Sequence, residues 1–272
     1  MIELPETHVL SKQIAQTLVG KIIRRAAANT HAHGFAFYSG DPAAYGAMLS
    51  GKKITDSGTG YGDCGDTVGI ACEDMLLTIG TPIKYHGPGE KLPKSHQLLL
   101  EFEDGSHMSC TVQMWGGLHC NPLAEKQGER RQTPNPFDEA FDEAYFDSLI
   151  AGVKPTVSAK ALLATEQRIP GLGNGVLKDI LFNAGIHPKR KLQTMNDRDK
   201  QRLFESVKST LKDMRDQGGR DTEKDLFNQS GGYRTILSNK TIAFPCGVCG
   251  SGLVRQAFLG GNIYFCPVCQ PE

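Results

Sequence analysis

Four cysteines near the C-terminus form two pairs with the spacing of a metal site. Two residues separate Cys246 from Cys249 and Cys266 from Cys269, and sixteen residues lie between the pairs. Two such CxxC pairs supply four thiolates, which suit tetrahedral zinc. Because four thiolates complete that geometry, we predict one structural Zn²⁺ ion and no catalytic metal. Zinc ribbons bind nucleic acid or protein, so this motif leaves the partner open.

A glycine-rich turn in mid-chain is the second candidate site. The stretch Ile169–Asn174 contains two glycines that permit a tight turn, and Asn174 is predicted to cap the helix that follows. The start of that helix would present free backbone N–H groups to a phosphate. Lys160 before the turn and the basic run Lys189–Lys191 after it favour phosphate binding. An ordinary loop between two helices explains the same glycines, so both interpretations stay open.

Two acids, Glu3 and Glu6, stand at the extreme N-terminus, where a helix is predicted over Pro5–Val19. The helix dipole alone favours acids near the first turn. The residues by themselves therefore indicate an ordinary acidic helix start.

The first half of the chain is predicted to be rich in short strands. Clusters of Gly, Asp and Pro separate the strands, and Glu103–Ser106 is predicted to form a hairpin turn. A series of this kind favours a sandwich or a barrel. The predicted strands are Lys21–Arg25, Phe35–Tyr38, Met75–Ile79, Gln97–Phe102 and His107–Val112.

Beyond Pro134 the pattern changes to helices and ends in a predicted hairpin. Ser158 is a predicted N-cap, Gly185 a predicted C-cap, and Gly218-Gly219 should end the longest helix. The segment Leu253–Phe265 suits two strands that turn at Gly260-Gly261-Asn262. The predicted helices are Asp138–Ala151, Ser158–Glu166, Asn174–Gly185 and Asp197–Gln217.

Charge is distributed unevenly although the net charge of the chain is zero. Residues 1–150 contain 12 Lys and Arg against 19 Asp and Glu, a net charge of −7. Residues 151–272 contain 18 against 11, a net charge of +7. A basic half can neutralise phosphates and gain affinity from counterion release.

The composition is that of a globular protein, with 39% hydrophobic and 22% charged residues. No apolar run is long enough to span a membrane, and the start lacks the pattern of a signal peptide. We therefore expect a monomer in the cytoplasm that has no membrane partner.

The order of three motifs resembles the formamidopyrimidine-DNA glycosylase and endonuclease VIII family over nearly the whole chain. The motifs are the N-terminal Leu4-Pro5 flanked by glutamates, the turn Gly171–Asn174 with Ala184–Pro188 after it, and the cysteine pairs. The resemblance implies an α+β fold with a β-sandwich-like domain (1–133), a helix-two-turn-helix domain (134–240) and a zinc-finger hairpin (241–272). It also implies base-excision repair, with binding of damaged or abasic double-stranded DNA.

The resemblance carries family roles onto matching residues. Glu3 matches the acid–base carboxylate, and Glu6 matches a carboxylate that supports the N-terminal helix and the active-site water. Lys160 and Asn174 match positions that hold phosphates near the flipped nucleotide. Trp115 lies about where the family inserts an aromatic wedge, although a lone Trp is also a common core residue.

This sequence departs from the family at three places. The family's nucleophile is an N-terminal proline, whereas Ile2 stands here and the Met1 amine would lie one residue further out. The stretch Ser57–Asp66 matches a β-turn that carries a DNA-contacting lysine, but it contains no lysine. The family's hairpin arginine is also missing, and Asn262 or Arg255 is the nearest substitute.

Three hypotheses follow from this mixture of kept and lost features. The first is a DNA glycosylase or abasic-site lyase of altered mechanism, in which Glu3 activates water or the Met1 amine attacks the sugar. The second is a catalytically silent binder of damaged DNA. The third is a nucleic-acid or protein interaction module. The resemblance places a lesion-capping loop within Gly218–Asn239, whose polar residues stay unassigned.

Overall fold

The structure is a computed structural model that describes residues 2–59, 67–127, 133–166 and 168–272. It confirms the predicted α+β fold class. Its α-helices are α1 (Leu4–Thr17), α2 (Tyr45–Leu49), α3 (Leu123–Gln127), α4 (Glu143–Ala151), α5 (Ala159–Ala164), α6 (Asn174–Ala184) and α7 (Asp197–Asp216). Pro42–Ala44 and Leu192–Thr194 are 3₁₀ helices. Within the described ranges, no helix is long and apolar enough to cross a membrane.

Eleven strands are found among the described residues. They are β1 (Ile23–Ala28), β2 (Ala36–Tyr38), β3 (Ile54–Thr59), β4 (Val68–Cys72), β5 (Met75–Ile79), β6 (Ile83–His86), β7 (Leu98–Phe102), β8 (His107–Cys110), β9 (Gly116–Pro122), β10 (Val254–Ala257) and β11 (Asn262–Phe265).

The chain divides into two compact units. The first comprises Met1–Gln132 together with Gly218–Gly232, and the second comprises Thr133–Gln217 together with Tyr233–Glu272. The segment after α7 therefore belongs to the same unit as the N-terminal helix. This connection matters for the site, because it brings residues from opposite ends of the sequence into one unit.

The first unit contains two sheets that share one hydrophobic core. One sheet has the order β1-β7-β8-β6, and the other has the order β2-β9-β5-β4-β3. The pairs within them are antiparallel except β2 with β9. Buried side chains of both sheets and of α1, such as Leu100, Ile70 and Ile14, belong to the same core cluster. The structure thus has the predicted β-sandwich-like arrangement.

The hairpin predicted at Glu103–Ser106 is confirmed, with β7 and β8 paired antiparallel. Four strands were missed by the sequence patterns. β4 is buried at every position, so it lacks the polar–apolar alternation that reveals a half-exposed strand. β9 begins with Gly116-Gly117, which are poor strand formers, and β3 and β6 also escaped prediction.

The second unit contains α4 to α7 and the β10–β11 hairpin. α4 begins later than predicted because Asp142 caps it, whereas Asp138 accepts hydrogen bonds from the backbone and side chain of Asn135. The cap at Ser158 and the left-handed C-cap at Gly185 are confirmed. The predicted cap at Asn174 is wrong, because extended Gly173 precedes α6 and Asn174 is its first helical residue.

Gly231 lies where two backbone segments of the first unit meet. A Cβ at this position would overlap the Gly219 carbonyl oxygen and would lie 2.7 Å from the Arg220 backbone nitrogen. Backbone atoms cannot yield as a flexible side chain can. Gly231 is therefore required for this close approach.

We expect Gly231→Ala to lower the free energy of unfolding by about 1–3 kcal/mol, because overpacking forces a backbone shift. Thermal and denaturant unfolding measure the change. Gly34→Ala is the matched control, since a Cβ at Gly34 meets nothing within 4 Å. Equal stability of the two variants would contradict the expected crowding.

Candidate functional site

The two N-terminal acids form a reciprocal cap at the start of α1. Glu3 is the N-cap residue, and its side chain accepts a hydrogen bond from the backbone of Glu6. In return, the Glu3 backbone nitrogen donates to Glu6 Oε2 at 3.1 Å. Both residues are buried, with 4% and 3% of their surface exposed. Burial of two carboxylates is costly unless they are paired, so this is more than a solvated helix start.

Arg220 supplies the pairing from the segment that follows α7. Its Nε donates to Glu6 Oε1 at 2.9 Å, and its Nη2 donates to Glu6 Oε2 at 2.7 Å. The Arg220 backbone nitrogen also donates to Glu6 Oε1, at 3.1 Å. Arg220 Nη1 lies 3.6 Å from Glu3 Oε2, and Nη2 lies 4.0 Å from Glu223 Oε1. One guanidinium thus faces three carboxylates.

In this cluster of Glu3, Glu6, Arg220 and Glu223, burial and ion pairing shift pKa values in opposite directions. Burial alone would raise the pKa of Glu6, but the charge and hydrogen bonds of Arg220 outweigh it, and the pKa of Glu6 is lowered. Burial is also the largest effect on Glu223, and it raises the pKa of that carboxyl. The pKa of Arg220 is raised, because Glu3 and Glu6 outweigh the opposing effect of burial.

The sequence alone assigns no role to Arg220. The structure shows that its side chain is buried against Glu6, so it is not on the surface as a phosphate contact would be. The one available signal was its place after Gly218-Gly219, both of which have positive φ angles. That signal marks a turn but does not name a partner 214 residues away.

The four C-terminal cysteines come together as predicted. Their Sγ atoms all lie within 4.8 Å of one another. Cys249 Sγ lies 3.4 Å from Cys266 Sγ, and Cys246 Sγ lies 3.8 Å from Cys269 Sγ. Zn–S bonds of about 2.3 Å in a tetrahedron place the sulfurs about 3.8 Å apart. The cluster therefore fits a single metal ion.

The cysteines lie at the base of the β10–β11 hairpin. Arg255 pairs with Tyr264, and Asn262 pairs with Ala257. The turn is closed by a hydrogen bond from the Phe258 nitrogen to the Gly261 oxygen. Asn262 is thus the first residue of β11 rather than part of the turn, and both Asn262 and Arg255 are exposed.

Lys160 and Asn174 converge on the turn of this hairpin. The Nδ2 atom of Asn174 and the Nζ atom of Lys160 lie 3.3 and 3.6 Å from where a Cβ would stand at Gly261. Lys160 is buried, and its Nζ donates to the Phe258 carbonyl oxygen at 2.6 Å. Burial lowers the pKa of Lys160, and the positive charge of Lys178 adds to the effect. The ammonium group of Lys160 and the first residue of α6 therefore both lie beside the hairpin turn.

Trp115 is on the surface, with 45% of its area exposed, and is not part of the core. It precedes β9, and the neighbouring Gly116 nitrogen donates to the Phe35 oxygen at 3.0 Å. Phe35 and Phe37 are exposed as well. Met1 and residues 60–66, including most of the predicted β-turn stretch, lie outside the described residues.

Comparisons with known proteins agree on one family. A sequence profile described as the formamidopyrimidine-DNA glycosylase H2TH domain matches residues 133–224. A formamidopyrimidine-DNA glycosylase of Symbiobacterium thermophilum is 26% identical over 284 residues, which cover 100% of this chain and 90% of that protein. A protein of the same name from Brevibacillus brevis is 26% identical and covers 99% of both chains.

Solved structures show the same fold. A complex between Lactococcus lactis Fpg and DNA containing an abasic site has a TM-score of 0.81 at 22% identity, covering 99% of this chain and 100% of that one. The MutM (Fpg) protein of Thermus thermophilus has a TM-score of 0.79 at 21% identity and covers 99% of each chain.

Proposed function

Because the chain belongs to the formamidopyrimidine-DNA glycosylase and endonuclease VIII family, we propose that it is a base-excision DNA repair protein that binds damaged or abasic duplex DNA. The related Lactococcus lactis protein was solved with DNA containing an abasic site. The three-part division at residues 133 and 240 is part of this proposal. We also propose that the DNA is a duplex, that the protein is a monomer and that it is located in the cytoplasm.

The observation that carries the proposal is the convergence of Lys160, Asn174 and the hairpin turn. An ammonium group has three N–H donors, and Phe258 accepts one of them. Asn174 at the start of α6 lies beside the same turn, and the positive end of a helix dipole favours an anion. A phosphate of the DNA backbone suits this combination. Asn262 and Arg255, exposed on the same hairpin, are proposed to contact the backbone nearby.

We propose that the four cysteines hold one structural Zn²⁺ ion. Four thiolates are the donor set that zinc takes in structural sites, and the sulfur spacing fits it. The bound ion would fix the hairpin that carries the turn beside Lys160. Its part in DNA binding is therefore to position protein groups.

The catalytic assignment is proposed for Glu3, with Glu6 as its support and the Met1 amine as the alternative nucleophile. In hydrolysis, Glu3 would accept a proton from water while the water oxygen bonds to the sugar C1′. The C1′–N bond would break, and its electron pair would leave with the damaged base, which takes a proton from solvent. Ile2 in place of the family's proline favours the second candidate function, a binder without catalysis.

Borohydride trapping on a duplex with one abasic site, run beside a strand-incision gel and a native gel, tests the proposal. Incision that is lost in Glu3→Gln supports the enzyme, and a trapped adduct assigns the attack to an amine. A complex with the abasic duplex but without incision or adduct supports the silent binder. Failure to form that complex would contradict both and favour the interaction module.

Trp115 provides a spectroscopic test, since it is the only tryptophan in the chain. If it stacks in the gap left by a missing base, the abasic duplex should quench its fluorescence more than an intact duplex does. Stacking of a base on an aromatic ring contributes about 1–3 kcal/mol. We therefore expect Trp115→Ala to weaken abasic-duplex binding by that amount, as measured by titration.

Phe37→Ala is the matched control for Trp115→Ala, because Phe37 is a similarly exposed aromatic residue in β2, the strand that pairs with β9 just after Trp115. We expect it to leave the preference for the abasic duplex unchanged. The stacking role of Trp115 would be contradicted if both variants lost the same amount of abasic-duplex affinity. It would also be contradicted if the abasic and intact duplexes quenched the Trp115 fluorescence equally.

A further inference from the structure

Two lysines lie beside the ring of Phe258 at the turn of the β10–β11 hairpin. The Nζ atom of Lys160 lies 6.0 Å from the centre of that ring, and the Nζ atom of Lys189 lies 5.6 Å from it. Lys160 is buried, whereas Lys189 is half-buried and therefore also faces solvent. Two positive charges are thus placed at one turn.

The backbone fixes Lys189 next to the start of α5, which carries Lys160. The Lys160 nitrogen donates to the Pro188 carbonyl oxygen at 3.0 Å. The Ala159 nitrogen donates to the Arg190 carbonyl oxygen at 2.9 Å. These two acceptors flank Lys189 in the sequence. Hydrogen bonds on both sides of Lys189 therefore set its position relative to Lys160.

The partners of the two ammonium groups at this turn are neutral. Lys160 Nζ donates to the Phe258 carbonyl oxygen, and the face of the aromatic ring attracts both cations. In the part of the chain that the structure describes, neither lysine forms an ion pair with a carboxylate. Because like charges repel each other, an anion beside this turn would stabilise the pair of lysines.

We propose that Lys189 binds a second phosphate of the DNA, next to the phosphate assigned to Lys160 and Asn174. Phe258 acts as a positioning residue, since its ring keeps both ammonium groups beside the turn. Each strand of a duplex carries one negative charge per about 3.4 Å of helix axis, so neighbouring lysines can meet neighbouring phosphates. This assignment rests on the proposed function, because it extends the same contact with the DNA backbone.

Two other roles of Lys189 would not involve DNA. Its aliphatic stem can pack on the Phe258 ring, as lysine stems do on apolar surfaces. Its charge can also balance that of Glu272, which lines the same surface cavity of about 460 Å³. Methionine keeps most of the stem and removes the charge, whereas arginine keeps the charge. Lys189→Met and Lys189→Arg therefore separate packing from charge.

The experiment measures the affinity of wild type and variants for an abasic duplex and an intact duplex over a series of salt concentrations. Lys212→Met is the matched control, because it removes the same charge from the same unit and Lys212 is paired with Asp216 at 2.7 Å. Thermal unfolding and metal content monitor folding. Lys189→Gln is a second neutral variant, in case Lys189→Met does not fold.

We expect Lys189→Met to flatten the plot of the logarithm of the binding constant against the logarithm of the salt concentration. The slope should fall by about 0.9, the change for one lost phosphate contact. The affinities for the two duplexes should fall by the same factor, because a phosphate contact does not read the base. Lys189→Arg and Lys212→Met should keep the wild-type slope.

Three results overturn the assignment. A wild-type slope in Lys189→Met would leave only a packing role or a pairing with Glu272. The same flattening in Lys212→Met would show a general effect of net charge. A loss of affinity for the abasic duplex alone would mean contact with the lesion rather than with a phosphate. Failure of the proposed function is seen separately, because wild-type protein would then show no preference for the abasic duplex before any variant is made.

Discussion

Replacement of Glu6 with glutamine is expected to lower the free energy of unfolding by about 3–5 kcal/mol, because it leaves the buried Arg220 without its bidentate partner. Glutamine preserves the size of the side chain, so the loss reports charge rather than packing. Denaturant unfolding near neutral pH measures it. A loss below about 1 kcal/mol would mean that the ion pair is not formed as the structure has it.

Glu223→Gln is the matched control for Glu6→Gln. Glu223 approaches the same guanidinium but at 4.0 Å, and its side chain is more exposed than that of Glu6. A loose, partly exposed pair contributes little, so we expect a change of about 1 kcal/mol or less. If Glu223→Gln lowered the free energy of unfolding more than Glu6→Gln does, Glu223 rather than Glu6 would be the main partner of Arg220.

The stability of wild type should also depend on pH through Glu6. Its pKa is lowered in the folded state from an ordinary value of 4.5. The stabilisation is therefore present above about pH 4.5 and is lost as the pH falls through the lower folded value. Glu6→Gln should remove this part of the acid dependence, which unfolding curves at several pH values will show.

Removal of the metal from the four-cysteine cluster is expected to unfold the β10–β11 hairpin and abolish duplex binding. Two strands alone are marginally stable in water, and zinc binding to small four-ligand sites contributes about 10–16 kcal/mol in model peptides. Cys269→Ser and a strong chelator should both cause the loss. Metal content, hairpin amide exchange and abasic-duplex affinity measure it.

Cys72→Ala is the control for the metal experiment, since Cys72 is a buried cysteine of β4 outside the cluster. It should leave the metal content at one ion per chain, whatever its cost in stability. Full duplex binding by metal-free protein would contradict the proposed role of the hairpin.

The sequence predicted features whose signals are local. Spacing alone predicted a common site for four cysteines, which are Cys246, Cys249, Cys266 and Cys269. The apolar periodicity predicted α7 to within one residue at its end. The β7–β8 hairpin followed from its turn residues. In each case, the interacting residues belong to one short stretch of the chain.

Features that depend on distant partners, or on a choice between nearby candidate residues, were not predictable in this way. Arg220 and Glu6 meet across 214 residues, and no periodicity or spacing links them. The start of α4 was misplaced because Asp138 and Asp142 are both suitable caps, and the choice depends on Asn135. The capping role expected of Asn174 failed because an extended Gly173 fills that position.

The most direct test of the central claim is a competition titration at fixed salt and pH. A labelled duplex with one abasic site is displaced by unlabelled duplexes of the same sequence, either abasic or intact. Salt is held constant because phosphate contacts alone bind any duplex. We predict that the intact duplex displaces the label at least ten times less effectively than the abasic duplex. Equal displacement by the two duplexes would contradict abasic-site recognition.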